Sequence, residues 1–127
     1  MPGTYIRFVT AELHPKSGQP MGVFSALYKL EDDGQLEEHE LTWLHAIEKW
    51  FNKNLKAPKR VLGSRRRNSP DRAVSWFRAS AVEHVTRMHE LCALLRHKDV
   101  LVEVLQTTQP GYIVYEDEFQ VATIPFK

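Results

Sequence analysis

The chain is 127 residues long, 43% hydrophobic and 26% charged, which is the composition of one globular domain able to bury about two thirds of its unfolded surface without a disulfide or metal. Its aromatic content of 10% excludes a wholly disordered polymer, and its net charge of +1 excludes a uniformly basic coat for polyanions. No stretch approaches the roughly 18 consecutive apolar residues of a membrane span, and Met1-Pro2-Gly3-Thr4 lacks the basic n-region of a secretory leader.

In chain order, Tyr5-Ile6-Arg7-Phe8-Val9-Thr10 is aromatic and β-branched and predicts a strand, with Ile6 and Phe8 on one face and Tyr5, Arg7 and Val9 on the other. His14 to Pro20 holds two prolines and a glycine, which is a break. Val23, Phe24, Leu27, Tyr28 and Leu30 recur at helical spacing and predict a helix over 21–31, closed by Asp32-Asp33-Gly34 with Gly34 as a left-handed stop. A second helix is expected over 37–55. Leu41, Leu44, Ile47, Trp50 or Phe51, and Leu55 form its apolar stripe, and glutamates fill its first turn.

Residues 56–68 have no periodicity and read as a basic loop that ends near residue 70. Ser69-Pro70 carries the chemistry of a helix start, with Ser69 as cap and Pro70 in the first turn. Val74, Phe77, Ala81, Val85, Met88, Cys92 and Leu95 then extend a third helix to about residue 97. Beyond it the period changes. Strands are expected at 100–108, 112–116 and 119–124, with a turn at Gln109-Pro110-Gly111. The expected fold is therefore a single α+β domain over 1–127, with three helices packed on a mostly antiparallel four-stranded sheet in the chain order β-α-α-α-β-β-β.

Charge is distributed unevenly along this frame. Residues 1–55 balance to −3, 56–78 to +7, 79–98 to +1 and 99–127 to −4. The 56–78 stretch holds eight of the 17 basic residues against Asp71 alone, so the near-zero total is a cancellation. Guanidinium groups match phosphate and carboxylate oxygens in a bidentate way and stay charged at neutral pH. Arg60, Arg65, Arg66, Arg67, Arg72 and Arg78 are thus the candidate anion contacts, with Trp76 beside them as stacking platform or packed boundary residue. A plain solvated loop explains the same run, and Asp71 opposes anion binding at that position.

Other chemistry finds little support. His84 and His89 are five apart and His39 and His45 six apart, so neither pair shares a helix face as zinc ligands would. The Asp32-Asp33-Gly34 segment superficially fits a calcium loop, but Lys29 would occupy its leading ligand position. No metal and no cofactor is expected. Cys92 lies on the apolar stripe of the third helix, where burial raises a thiol's pKa and argues against a nucleophile. Tyr115-Glu116-Asp117-Glu118 reads as an acidic hairpin tip, which needs no role beyond a turn.

The Tyr5–Thr10 start, the Ser64-Arg65-Arg66 and Ala73–Phe77 segments, and the Pro110–Asp117, Gln120–Ala122 and Pro125-Phe126 end together resemble a family of small bacterial proteins with no established activity. The resemblance implies a cytoplasmic setting and transfers no catalytic residue. The expected function is a non-catalytic binding module that meets phosphate, nucleic acid or an acidic protein through the arginine-rich loop. One alternative is a protein–protein regulator, inhibitor or small accessory subunit. Another is a small enzyme acting on a phosphorylated substrate, with the arginines as clamps and His84 or Glu83 as acid/base.

Overall fold

The computed structural model describes residues 3–13, 20–55 and 74–126. These form β1 (Tyr5–Leu13), β2 (Pro20–Gly22), α1 (Val23–Asp32), α2 (Glu38–Asn54), β3 (Val74–Arg78), α3 (Val82–His97), β4 (Val102–Thr107), β5 (Tyr112–Glu116) and β6 (Gln120–Ile124). The architecture is α+β with an antiparallel sheet of order β2-β1-β3-β6-β5, and β4 pairs with β1 off that path. No described helix is long and apolar enough to cross a membrane.

The expectation of four strands is corrected in two places. Pro20–Gly22 is a strand paired with β1, where the sequence reading began a helix at residue 21. More consequentially, Val74–Arg78 is a strand and not the first half of a helix running to 97, so the chain order becomes β-β-α-α-β-α-β-β-β. Val-Ser-Trp-Phe-Arg is β-branched and aromatic, and it buries Val74 and Trp76 while Ser75 between them is exposed. That is strand alternation, stabilised by ladders on both sides: Ile6 opposite Phe77 in β1, and Val121 opposite Trp76 in β6. The proposed Ser69-Pro70 start lies outside the described residues. The helix begins after a turn in which the Ala81 N–H donates to Arg78 O and the Ala79 N–H to Thr4 O.

The chain clusters into two compact units. The first contains β1 as far as Arg7, β3, the first turn of α3, most of β4, and β5 with β6. Its apolar centre is Tyr5, Val74, Trp76 and Val121, with Leu105 packed against them. β5 meets β6 with a register irregularity between Ile113 and Tyr115.

The second contains the remainder of β1, β2, α1, α2 and most of α3. Leu27, Leu44, Leu91, Cys92 and Leu95 are fully buried there. The helix stripes follow the sequence, with Phe51 rather than Trp50 the more deeply buried of the alternative pair. α1 stops as its sequence dictates. Gly34 sits at φ 71, its N–H donates to Glu31 O, and the Gln35 N–H reaches Leu30 O. α3 ends in the same motif with Asp99 in the left-handed position at φ 65. At the start of α2, the Glu37 N–H donates to Glu40 Oε1 at 2.8 Å, and Lys98 Nζ reaches the same oxygen at 2.9 Å. Those two donors, Lys98 first, hold the Glu40 carboxyl below its ordinary range.

Candidate functional site

Of the residues singled out by the sequence, Arg60, Arg65, Arg66, Arg67 and Arg72 lie outside the described residues; Trp76 and Arg78 lie on β3. β3 is an inner strand, so the chain leaving the basic stretch passes straight into the middle of the sheet. Its register fixes which side chains share a face. Tyr5 is opposite Arg78, Trp76 is opposite Val121, and Val121 is opposite Glu116. Cross-strand partners point the same way. One face of the first unit therefore carries Tyr5, Trp76, Arg78, Val121 and Glu116, and continuing the β1 register by one residue puts Arg7 across from Trp76.

Trp76 is only 9% exposed, enclosed by Tyr5, Val74 and Val121. It offers no open ring face for a nucleobase. Its indole Nε1 is sealed from solvent without a hydrogen-bond partner. The Arg7 guanidinium lies 6.0 Å from the ring centroid, within cation–π range. Burial pushes the Arg7 pKa down, though a guanidinium remains charged at neutral pH.

Arg78 has specific partners. Its Nη2 pairs with Glu116 Oε1 at 2.7 Å, its Nε donates to Asp117 O at 2.8 Å, and its Cζ lies 5.9 Å from the Tyr5 ring centroid. Those contacts tie β3 to the tip of the β5–β6 hairpin. The acidic tip is itself built on Asp117. Its Oδ1 accepts the Phe119 N–H at 2.8 Å and the Gln120 N–H at 3.0 Å, and its Oδ2 accepts the Tyr115 hydroxyl at 2.7 Å. Burial alone would raise the Asp117 pKa, but the hydrogen bonds from Tyr115, Phe119 and Gln120 outweigh it and the carboxyl titrates below its ordinary value. The same Tyr115–Asp117 bond, with burial behind it, pushes the tyrosine up to about 12.

The residues weighed for catalysis are placed as follows. His84 is 4% exposed, with its ring 4.4 Å from Phe119 and 6.2 Å from Phe77, so its surroundings are aromatic. Glu83 is exposed. Among the described residues no cluster of three or more His, Cys, Asp or Glu is placed to hold a metal. Cys92 is fully buried, and burial pushes its thiol up to about 11.

Arg7 is the residue that the sequence reading passed over. Its signal was present: Tyr5-Ile6-Arg7-Phe8-Val9 has apolar residues on both faces, the mark of an inner strand, and an arginine inside such a strand is desolvated whichever way it points. Comparison of the chain with protein-family models, with curated proteins and with solved structures finds no match.

Proposed function

We propose that the chain acts as one non-catalytic α+β binding module, and that its basic stretch engages a polyanionic partner, nucleic acid foremost. The carrying observation is the charge pattern: residues 56–78 bear eight cationic side chains against one carboxylate. Phosphate contacts supply most non-specific affinity for nucleic acid, and arginine is the residue best matched to them. The described part of the site refines the roles. Trp76 and Arg78 root the stretch in the sheet, through burial and through Glu116 and Asp117 respectively. The contacts to the partner then fall to Arg60, Arg65, Arg66, Arg67 and Arg72.

The test is fluorescence anisotropy of labelled duplex DNA and of single-stranded RNA over a salt series. On duplex DNA the log–log slope is expected near about −0.9 per neutralised phosphate, so three to five contacts give a slope of about −3 to −4.5. Replacing Arg65, Arg66 and Arg67 together by Ala should flatten that slope by nearly 3, on the order of one unit per lost contact. Salt-independent association, or unchanged binding by the triple variant, overturns the proposal.

A second reading has its own observation. Tyr112, Ile113 and Phe126 are exposed at 64%, 44% and 49%, and the Tyr112 and Phe126 rings meet at 4.7 Å beside the terminal strand β5. Exposed aromatics at a sheet edge suit a protein partner, as in a regulator or accessory subunit. Native mass spectrometry of material captured from cells separates the readings: a stoichiometric protein favours this one, co-purifying nucleic acid the first.

A further inference from the structure

We infer that Arg7 and Trp76 form a donor pair that binds a single oxyanion, the carboxylate or phosphate group of a small molecule, on the sheet face that carries Tyr5, Trp76 and Val121. The pair uses none of the basic-stretch arginines Arg60, Arg65, Arg66, Arg67 and Arg72.

Two donors on this face lack what burial demands. The Trp76 indole N–H is enclosed and has no acceptor, whereas buried polar groups in folded proteins are paired in the large majority of cases. The Arg7 guanidinium is partly desolvated, and among the described residues it has no carboxylate. Glu116 and Asp117 on the hairpin tip are already engaged. Glu116 is bound by Arg78, and the Asp117 carboxylate is occupied by the Phe119 and Gln120 amides and the Tyr115 hydroxyl. The rest of the cluster is apolar: Val74, Val121 and Leu105, with the Tyr5 ring.

The cation–π contact between the two side chains does not discharge either demand. It uses the face of the indole, while the N–H lies in the ring plane, and a guanidinium above a ring still carries five N–H donors. The guanidinium carbon lies 6.0 Å from the ring centroid, so the two donors are bridged by different oxygens of one carboxylate or phosphate group and not by a single atom. Arg7 is only half-buried, so an anion arriving from solvent meets its guanidinium before the enclosed indole N–H. The apolar surround selects a compact anionic head over an extended polyanion, in contrast to the basic stretch.

The full chain labelled with nitrogen-15 gives three indole N–H signals, from Trp43, Trp50 and Trp76, and the one lost in Trp76→Phe reports the site. Sodium phosphate and sodium acetate are titrated separately at constant ionic strength against sodium chloride. The Trp76 signal is expected to move downfield and saturate with one of the two, and the tighter arm names the chemistry. Arg7→Gln should weaken that binding by about tenfold or more, the usual consequence of losing a charge-assisted contact. Because Arg7→Gln removes a packed side chain, the ring-preserving Trp76→Phe is read in parallel: wild-type melting temperature rises with the anion, and the variant's should not. The triple Arg65/Arg66/Arg67→Ala variant should keep the full response, whatever it does to nucleic-acid binding. No saturable movement in the tens of millimolar, an equal response to chloride, an unchanged curve in folded Arg7→Gln, a retained thermal shift in Trp76→Phe, or loss of the response in the triple variant overturns the inference.

Discussion

Asp117→Ala gives the sharpest test of how the first unit is held together. The wild-type carboxylate accepts the Phe119 and Gln120 amides at 2.8 and 3.0 Å, the Tyr115 hydroxyl at 2.7 Å and the Gln120 side-chain amide at 3.3 Å. Each hydrogen bond to a charged group is worth about 1.5–3 kcal/mol, so simple addition overshoots. Asp117 is half-buried, and water replaces part of what the variant loses. The two backbone amides are the contacts that matter most, because they close the turn that sets β5 on β6, and the expected loss is about 2–3 kcal/mol. For a chain of this size that lowers the melting temperature by about 6–12 °C. Urea denaturation across pH supplies the sign. The folded carboxyl titrates below the unfolded value of about 3.9, so its contribution is complete above that pH and disappears as the pH falls through the folded value. Tyr115 behaves oppositely: raised to about 12 in the folded chain, it contributes below its unfolded value of about 10 and loses that contribution as pH climbs towards 12. The gap between wild type and Asp117→Ala should therefore be widest between these limits and shrink towards both. A difference under about 0.5 kcal/mol at neutral pH, or a gap that stays constant down to acid, refutes the reasoning.

Gly111 sits at φ 133, and a Cβ there would lie 2.5 Å from Ile124 O, so Gly111→Ala is expected to cost at least about 2 kcal/mol in a urea titration. Asp99 holds a left-handed conformation at φ 65 at the end of α3, and Asp99→Gly should gain about 0.5 kcal/mol after the extra unfolded-state entropy of glycine is counted. Cys92 is fully buried with its thiol raised to about 11, so in the native protein Ellman's reagent at mildly alkaline pH should label it at least about a hundredfold more slowly than in urea. Equal rates would place the thiol outside the core.

The parts of the fold legible in the sequence are those set by neighbours. α1 and α2 carry apolar stripes long enough to show their period, and Gly34 closes α1 by local geometry alone. β5 lies where Pro110-Gly111 and the alternation of Tyr112–Glu116 put it. β3 was misread because its residues fit two periods at once. Val74, Phe77 and Ala81 fall at helical steps, while Val74 and Trp76 fall at strand steps. Five residues cannot decide between the two. The decision comes from β1 and β6, which are distant in sequence and supply ladders on both sides. β2, at three residues, is too short to carry any period.

The same non-local pairing decides what an individual arginine does. Composition identified Arg78 as one cation among eight in a basic stretch. The register places Trp76 and Glu116 on either side of Val121, and Arg78, two residues beyond Trp76 on the same face, reaches Glu116 across the intervening strand. Arg78 is thereby held by a carboxylate 38 positions away, which no local pattern announces. Arg7 belongs to that face one strand over, and the register gives it an indole in place of a carboxylate. Two arginines on one sheet face thus differ in the single respect that matters for binding: one has its counter-charge within the hairpin tip, and the other, among the described residues, has only an aromatic face. Restoring a carboxylate should make the point directly. Leu105 packs against the same cluster, and Leu105→Glu would place an acid in the apolar surround of the Arg7–Trp76 pair. Leu105 is only partly buried, so the decisive readout is binding: folded Leu105→Glu is expected to lose the anion response, and the uncharged Leu105→Gln to keep it, if Arg7 pairs with the acid. An anion response retained in folded Leu105→Glu would mean that Arg7 leaves the acid unpaired, and that the cation is not available on this face.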